Sequence, residues 1–219
     1  FYYFCILIIA EKVIMNWDVK NRIINGSLDM FHEKGIKNVT MDMIASELSI
    51  SKRTIYEYFD NKEKLVLACL ELFGNRMKEE CEKKKEHSAN SLEFLLNVFY
   101  INVQMFRIVN VNFFKDIKKM FPNIQSDVKK KELENIEIFG KILQTAQDEG
   151  FIRIDYNVEI LKKIFNMMVM ALKDPTYYDF TRYPFPDVFW TNSELFFRGV
   201  ATEKGMKLID NFNKKKIVT

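Results

Sequence analysis

The segment 40–64, TMDMIASELSISKRTIYEYFDNKEK, constrains the fold of this chain more than any other stretch. Thr40 and Ser51 each precede a short segment whose apolar residues are spaced three or four apart, as on the buried face of a helix. A side-chain oxygen at such a position can accept a backbone N–H group of the first helical turn. The two short helices are joined by the tight turn Ser49–Ile50, so the segment predicts a helix-turn-helix.

A longer helix precedes this motif and another follows it. Apolar residues recur at three- and four-residue spacing over 18–34, which predicts an amphipathic helix that ends at Gly35. Either Asp60 or Asn61 can cap a fourth helix that runs to about His87. The first three helices together predict a small bundle.

The third helix carries polar side chains on one face. Ile55 and Phe59 are four residues apart, so both are expected to point inward. Lys52, Arg53 and Tyr56 then share the outward face. Arginine can bind guanine through two hydrogen bonds, whereas lysine, threonine and tyrosine commonly contact phosphates or thymine methyl groups. An ordinary solvated helix face is the alternative, and the helix pattern alone leaves both open.

A set of apolar, capping and aromatic residues recurs through this region at fixed spacing. With these residues the segment resembles the N-terminal domain of the TetR family of bacterial transcriptional regulators. Ser49 departs from the family pattern, which usually has Gly in the turn, and Met41 stands where a second Thr is common. The matching residues are Met30, Phe31, Gly35, Val39, Thr40, Ile44, Ala45, Leu48, Ser51, Thr54, Ile55, Tyr56, Phe59, Asn61, Lys62, Glu63 and Leu65.

The resemblance implies a role for individual side chains. Thr40, Tyr56 and Lys62 are expected to contact phosphates, and the first residues of the third helix are expected to face base edges. Arg53 occupies a position that is often held by a small residue, so it is the best candidate for base reading. The predicted DNA-binding residues are Thr40, Ser51, Lys52, Arg53, Thr54, Tyr56, Tyr58 and Lys62.

Composition argues against other classes of protein. A formal net charge of +3 gives no overall basic field, so attraction to DNA depends on where Lys and Arg are placed. The two histidines stand in the first helix, at His32, and in a charged run, at His87, so we predict neither a His-based triad nor a multi-His metal site within one chain. The three cysteines lack C-x-x-C spacing. The seven glycines form neither a phosphate-binding loop nor a dinucleotide fingerprint. We predict no enzymatic activity, cofactor or metal, and a cytoplasmic protein with reduced thiols.

The predicted fold class is all-α. Residues 15–65 are expected to form the DNA-binding domain and residues 66–219 a larger helical domain with its own core. No β-type alternation of useful length is present. Three of the four prolines lie within 175–186, so 174–190 is predicted to be a loop. The further predicted helices are 91–108, 111–120, 124–149, 157–173 and 191–213.

The second domain is rich in methionine and aromatic side chains. Most are expected to pack in a core, although such side chains also adapt to apolar ligands. The resemblance implies that this domain binds a small inducer. The candidates to orient it are polar residues within mostly apolar segments: Asn97, Asn102, Gln144 and Asn166.

The resemblance also implies a two-fold dimer through the last two helices. Specific recognition of DNA also requires a dimer, because one short helix contacts too few base pairs and the half-sites must match the symmetry of the protein. Packing within one chain is the alternative role for the same side chains. The apolar residues concerned are Ile160, Ile164, Met167, Met168, Ala171, Leu195, Phe196, Gly199, Val200 and Met206.

The sequence therefore predicts a homodimeric, sequence-specific DNA-binding transcriptional regulator. We expect a repressor that leaves an inverted-repeat operator in double-stranded DNA when a small apolar or amphipathic ligand binds. A ligand-independent regulator or an activator of the same fold is the alternative.

The apolar run Phe1–Ala10 is too short to span a bilayer and follows no basic region. Met15 stands just before the predicted bundle. Residues 1–14 are therefore expected to be a non-native or disordered extension, and no membrane association is predicted.

Overall fold

The computed structural model describes residues 19–108, 112–172, 177–179 and 182–217. These ranges confirm the all-α prediction, and the apolar run at the N terminus lies outside them. None of the described helices is both long and apolar enough to cross a membrane. The helices are α1 (Val19–Lys34), α2 (Met41–Glu47), α3 (Lys52–Tyr58), α4 (Lys62–His87), α5 (Ser91–Ile108), α6 (Asn112–Met120), α7 (Pro122–Asp148), α8 (Val158–Ala171), α9 (Phe185–Val200) and α10 (Glu203–Ile217).

Capping side chains fix the ends of the first helices. Gly35 adopts a φ of 78° and its N–H donates to the carbonyl of Phe31, which ends α1. Thr40 accepts the N–H of Met43 and begins α2. The cap of α4 is Asn61, whose side chain accepts the N–H of Lys64 at 3.0 Å. The structure thereby decides between the two caps that the sequence left open.

The first three helices pack around apolar side chains that exclude water. Ile23 and Phe31 from α1, Ile44 from α2 and Ile55 from α3 are completely buried. Gly26 lets α1 approach the end of α2 closely, because a Cβ there would lie 2.5 Å from a methyl group of Leu48. This cluster is continuous with the core of the C-terminal helices, since α4 packs against α1 on one side and α5 on the other.

A group of phenylalanine rings forms the centre of the C-terminal half. Phe99 of α5 lies within 5.0–6.1 Å, between ring centroids, of four other rings. Most of these pairs are tilted or edge-to-face, the arrangements that aromatic quadrupoles favour. The partners come from three helices: Phe139, Phe165, Phe189 and Phe197.

The structure divides the predicted helix 191–213 into α9 and α10, so that prediction was wrong. The chain between them pairs with the segment after α7: the N–H of Arg153 donates to Val200 and the N–H of Thr202 donates to Phe151. Gly205 in the first turn of α10 lies against this segment, and a Cβ there would be 2.2 Å from the Phe151 carbonyl oxygen. These backbone bonds take the place of helical bonds and interrupt the helix.

Two proline-containing helix starts also differ from the sequence prediction. α9 begins at Phe185, inside the predicted loop 174–190, with Pro186 in its first turn. α7 begins at Pro122, which the sequence pattern placed outside the helix. Proline lacks an N–H group but suits the first turn of a helix, where that group has no partner within the helix.

Candidate nucleic-acid interface

Helix α3 is held by its inward side chains. Ile55 is completely buried, Phe59 is 4% exposed, and the N–H of Phe59 donates to the carbonyl of Ile55 at 2.9 Å. Lys52, Arg53 and Tyr56 are exposed on the opposite side. Since a helix of seven residues is too short to be stable alone, its outward face is fixed by this packing.

Two of the predicted DNA-binding residues, Ser51 and Thr54, form the N-terminal cap of α3. The Ser51 hydroxyl accepts the N–H of Thr54 at 3.0 Å and lies 2.8 Å from the Thr54 hydroxyl. Thr40 has the same capping role at α2, with its hydroxyl oxygen 3.2 Å from the amide nitrogen of Met43. Thr40 and Ser51 remain exposed and Thr54 is half-buried. Their contact with DNA stays a prediction.

The basic side chains of α3 form solvent-exposed ion pairs. Lys52 lies 2.8 Å from a carboxylate oxygen of Asp42, and Arg53 lies 3.3 Å from one of Glu57. The hydrogen bond that Lys52 donates to Asp42 raises the pKa of Lys52. Solvent-exposed pairs of this kind are weak. A phosphate or a base edge can therefore replace either carboxylate.

The two tyrosines of α3 differ in position although both are partly exposed. Tyr56 is 43% exposed on the same face as Lys52, and Tyr58 is 41% exposed at the end of the helix. A tyrosine combines a hydroxyl group with an apolar ring, which suits contact with a sugar–phosphate backbone.

Lys62, predicted to bind phosphate, lies partly inside the molecule. Its ammonium group donates to the carbonyl oxygen of Ile36 at 2.5 Å and is 5.9 Å from the centroid of the Phe31 ring. Burial lowers the pKa of Lys62, and the carboxylate of Asp116 partly opposes that shift. The amine is at the first turn of α4, as predicted, but its hydrogen bond in this structure is to the loop between α1 and α2.

The turn between α2 and α3 contains a strained backbone. Ser49 adopts a φ of 52°, and among the described residues it is the one non-glycine position with a positive φ. The turn is held by the N–H of Ile50, which donates to Ala45, and by the Arg22 guanidinium, which donates to the Leu48 carbonyl. The departure from Gly noted in the sequence therefore falls on the position that needs left-handed backbone.

A buried histidine for which the sequence predicted no role lies where α1, α4 and α6 meet. His32 of α1 is 4% exposed, and its ring lies 4.9 Å from the rings of Phe73 in α4 and Phe113 in α6. Neither ring nitrogen has a hydrogen-bond partner in the part of the chain that the structure describes. Burial, with a smaller contribution from Arg76, lowers the pKa of His32 to about 4. The ring therefore packs as a neutral side chain at the junction of three helices.

A cavity of about 1140 Å³ opens between α4, α5 and α7. Buried apolar side chains, including Phe73, Met77 and Phe99, form its inner wall. Charged side chains of both signs stand at its edge, among them Glu71, Lys78, Lys85, Glu134 and Lys141. Such a shape accommodates an apolar molecule with a polar end.

The four polar residues proposed to orient a ligand do not converge on this cavity. The Asn97 amide donates to the Ser88 hydroxyl at 3.2 Å, and the Asn102 amide donates to the Val98 carbonyl of its own helix. Gln144 is exposed on α7 and Asn166 is half-buried on α8. None of the four belongs to the described residues that line the cavity. Their role in binding a ligand stays a prediction.

The family model that matches this chain is that of the bacterial regulatory proteins of the tetR family, over residues 23–69. YhgD of Bacillus subtilis, an uncharacterized HTH-type transcriptional regulator, is 37% identical over 84 residues, covering 38% of this chain and 42% of that protein. IcaR of Staphylococcus aureus, the biofilm operon icaADBC HTH-type negative transcriptional regulator, is 29% identical over 90 residues, covering 39% and 48%. The chain thus spans about half the length of the curated relatives it matches.

Solved structures share the fold over most of the chain. The ketosteroid transcriptional regulator KstR2 of Mycobacterium tuberculosis aligns with a TM-score of 0.58 at 18% identity, covering 86% of this chain and 97% of that one. A putative transcriptional regulator from Saccharomonospora viridis, solved in complex with choline, aligns with a TM-score of 0.69 at 16% identity, covering 84% and 98%. At these identities the likeness shows the fold alone.

Ser49→Gly is expected to raise the free energy of unfolding by about 1 kcal/mol, because glycine adopts left-handed backbone without the Cβ clash. Ser46→Gly, within α2, is the matched control and is expected to lower the free energy of unfolding by about 0.5–1 kcal/mol. Urea unfolding of both variants measures the difference. An equal loss of stability in the two variants would contradict the strain at Ser49.

The stability of the protein is expected to fall as the pH decreases from 6.5 towards 4. In this window the unfolded chain binds a proton at His32 that the folded protein does not, since folding lowers that pKa from 6.5 to about 4. The expected slope is at most about 1.4 kcal/mol per pH unit. His32→Leu should remove this part of the pH dependence.

Chemical unfolding between pH 4 and 8 tests the effect of His32. The matched control is His87→Gln, which changes an exposed histidine at the end of α4. A pH profile that is the same for His32→Leu and wild type would show that His32 takes up its proton equally in both states.

Proposed function

Because the chain belongs to the TetR family of bacterial regulators, as its N-terminal residues predicted, we propose that it is a sequence-specific DNA-binding transcriptional regulator. The observation that carries this proposal is the outward face of α3, where Lys52, Arg53 and Tyr56 are exposed opposite the buried Ile55. A capped helix fixed in this way can enter the major groove and present its first residues to base edges. Such a regulator acts in the bacterial cytoplasm.

Attraction to DNA comes from a few local charges. With a formal net charge of +3, the chain has no large basic field to bind DNA without sequence preference. Lys52 and Arg53 exchange exposed carboxylate partners for DNA, and Lys62 exchanges the Ile36 carbonyl for a phosphate. The affinity is therefore expected to depend moderately on salt, as for a protein with few phosphate contacts in each subunit.

The dimer that the sequence predicted through its last two helices, 157–173 and 191–213, corresponds to α8 with α9 and α10 of the structure. Homodimerisation through α8 and α9, which carry all of the predicted dimer residues except Met206, is the second part of the proposal. Ile160, Ile164 and Met167 of α8 are exposed, Met167 by 70%, and Leu195 of α9 is exposed as well. Exposed apolar groups that line up along helices are typical of surfaces that bury one another in an assembly. Gly199 has open space around its Cβ position, so a second backbone can approach there.

Some of the predicted dimer residues have another role within the chain. Phe196 and Val200 are buried, and the Phe196 ring lies 5.0 Å from that of Phe165. The proposed dimer surface therefore contains fewer residues than the sequence predicted.

We propose residues 15–65 as the DNA-binding domain and residues 66–219 as the ligand-binding and dimerisation domain.

Release by a small apolar or amphipathic ligand is the third part of the proposal. The cavity between α4, α5 and α7 supports it, because apolar side chains form the inner wall and charged ones the edge. α4 lines the cavity and also begins next to α3, so a ligand that displaces α4 moves the recognition helix. The similarity to IcaR, named a negative regulator, favours repression, and the choline complex of a structural neighbour favours a ligand.

Selection of bound sequences from random duplex DNA with the purified protein is expected to recover inverted repeats. Arg53→Ala should relax the preference at one base position in each half-site, a change of about 1–3 kcal/mol against the wrong base. Lys62→Ala should weaken all recovered sites about equally, since a phosphate contact carries no sequence information.

Fluorescence anisotropy with the recovered duplexes measures both effects. Lys119→Ala, at an exposed lysine of α6, controls for the loss of one positive charge. Direct repeats, or no sequence preference at all, would refute the symmetric DNA-binding function. If Lys62→Ala relaxes the base preference and Arg53→Ala weakens all sites equally, Lys62 reads the base and Arg53 contacts the phosphate.

A thermal-shift screen with hydrophobic compounds is expected to find ligands that stabilise the protein and lower its affinity for the recovered duplexes. Val98→Phe, which adds a ring to the cavity wall, should abolish that stabilisation. Leu133→Phe is the matched control, because Leu133 is exposed on α7 and does not belong to the described lining residues. If no compound changes the DNA affinity, the ligand-independent regulator is the better description.

A further inference from the structure

A polar contact connects α6 to the loop between α1 and α2. The carboxylate of Asp116 accepts the backbone N–H of Lys37 at 2.7 Å, across 79 positions of sequence. Asp116 is only 8% exposed. A carboxylate removed from water needs a donor of this kind, because burying an unpaired charge is costly. The bond therefore ties the DNA-binding half of the chain to the C-terminal half.

The same loop is held from its other side by α4. Lys62 donates to the carbonyl of Ile36, one residue before the amide that Asp116 binds. Opposite charges on Lys62 and Asp116 also attract each other. In this structure the loop is thus held by Lys62 at the start of α4 and by Asp116 of α6, and it leads directly into the Thr40 cap of α2. When Lys62 turns to a phosphate, the Asp116 bond is the one of these two that remains.

An apolar contact supports the Asp116 bond on the same face of α6. Phe113 lies one helical turn before Asp116, and its ring is 4.9 Å from the ring of His32. Phe73 of α4 completes the group at 4.9 Å from His32 and 5.9 Å from Phe113. Together the polar and aromatic contacts fix the orientation of α1, and with it α2 and α3, against α6.

We propose that Asp116 is a positioning residue that sets the distance between the two recognition helices and thereby the half-site spacing that the protein accepts. This inference is built on the proposed function as a dimeric DNA-binding regulator. Inserting one base pair moves a half-site by about 3.4 Å and turns it by about 35°. A DNA-binding domain clamped to α6 follows such a shift only under strain, whereas a domain released from α6 follows it readily.

The test compares variants on two sets of duplexes. One set has the inverted repeat recovered by selection with wild type, and the other has the same half-sites with one base pair added or removed between them. Asp116→Ala removes the acceptor and is expected to reduce the ratio of affinities between native and altered spacing at least threefold. Asp116→Asn keeps an acceptor oxygen and is expected to retain most of the ratio.

Controls separate positioning from folding and from DNA contact. Lys119→Ala, exposed on the same helix, should leave the ratio unchanged. Light scattering shows whether the variants remain dimers, and a purely structural role would reduce affinity for all spacings together without changing the ratio. Faster hydrogen exchange of the Lys37 amide in Asp116→Ala reports directly on the lost bond.

The possible results separate the positioning role of Asp116 from the proposed DNA-binding function on which it rests. If wild type prefers one spacing and Asp116→Ala prefers it equally, the positioning role is refuted while DNA binding stands. A wild type that binds no selected duplex refutes both. A reduced ratio in Asp116→Ala with a retained ratio in Asp116→Asn and Lys119→Ala supports the role of Asp116.

Discussion

The burial of Ile55 and Phe59 beneath α3 is the constraint on which the proposed DNA-binding surface depends. A seven-residue helix has little stability of its own, so its direction is set by the side chains that it buries. Once those two point inward, helical geometry places Lys52, Arg53 and Tyr56 outward. The Ser51 and Thr40 caps and the turn at Ser49 then hold α2 and α3 at a fixed angle. Specific recognition requires this rigidity, because a base edge is read by hydrogen bonds with narrow geometry.

The local parts of this arrangement were predictable from sequence because their causes are local. A serine or threonine before a helix, a glycine after one, and apolar residues four apart act over a few positions. The caps at Thr40 and Ser51, the end of α1 at Gly35 and the inward side of α3 were predicted for this reason. The start of α4 shows the limit of such rules, since Asp60 and Asn61 both qualify as its cap and the structure has Asn61 there.

The contacts between the two halves were not predictable, because they join residues far apart in the chain. Asp116 and Lys37 meet only after α6 packs beside α1, and nothing in the spacing of either segment indicates the other. A signal did exist: a carboxylate next to Ile117 and one turn from Phe113 lies on an apolar helix face, where it needs a partner. His32 gave a similar signal on α1. The break between α9 and α10 was missed because pairing with residues 151–153 interrupts a pattern that looks continuous in sequence.

Phe73 belongs to two parts of the molecule at once, since it lines the cavity and also contacts the ring of His32. A change in the cavity that displaces this ring alters the support of α1, whatever compound causes it. Under the proposed release by a ligand, redesigning the cavity for a chosen molecule, as in building a biosensor, would therefore alter the signal together with the selectivity. Residues such as Ile138 and Ile142 on the α7 side of the cavity offer a way to change selectivity while leaving the Phe73 contact in place.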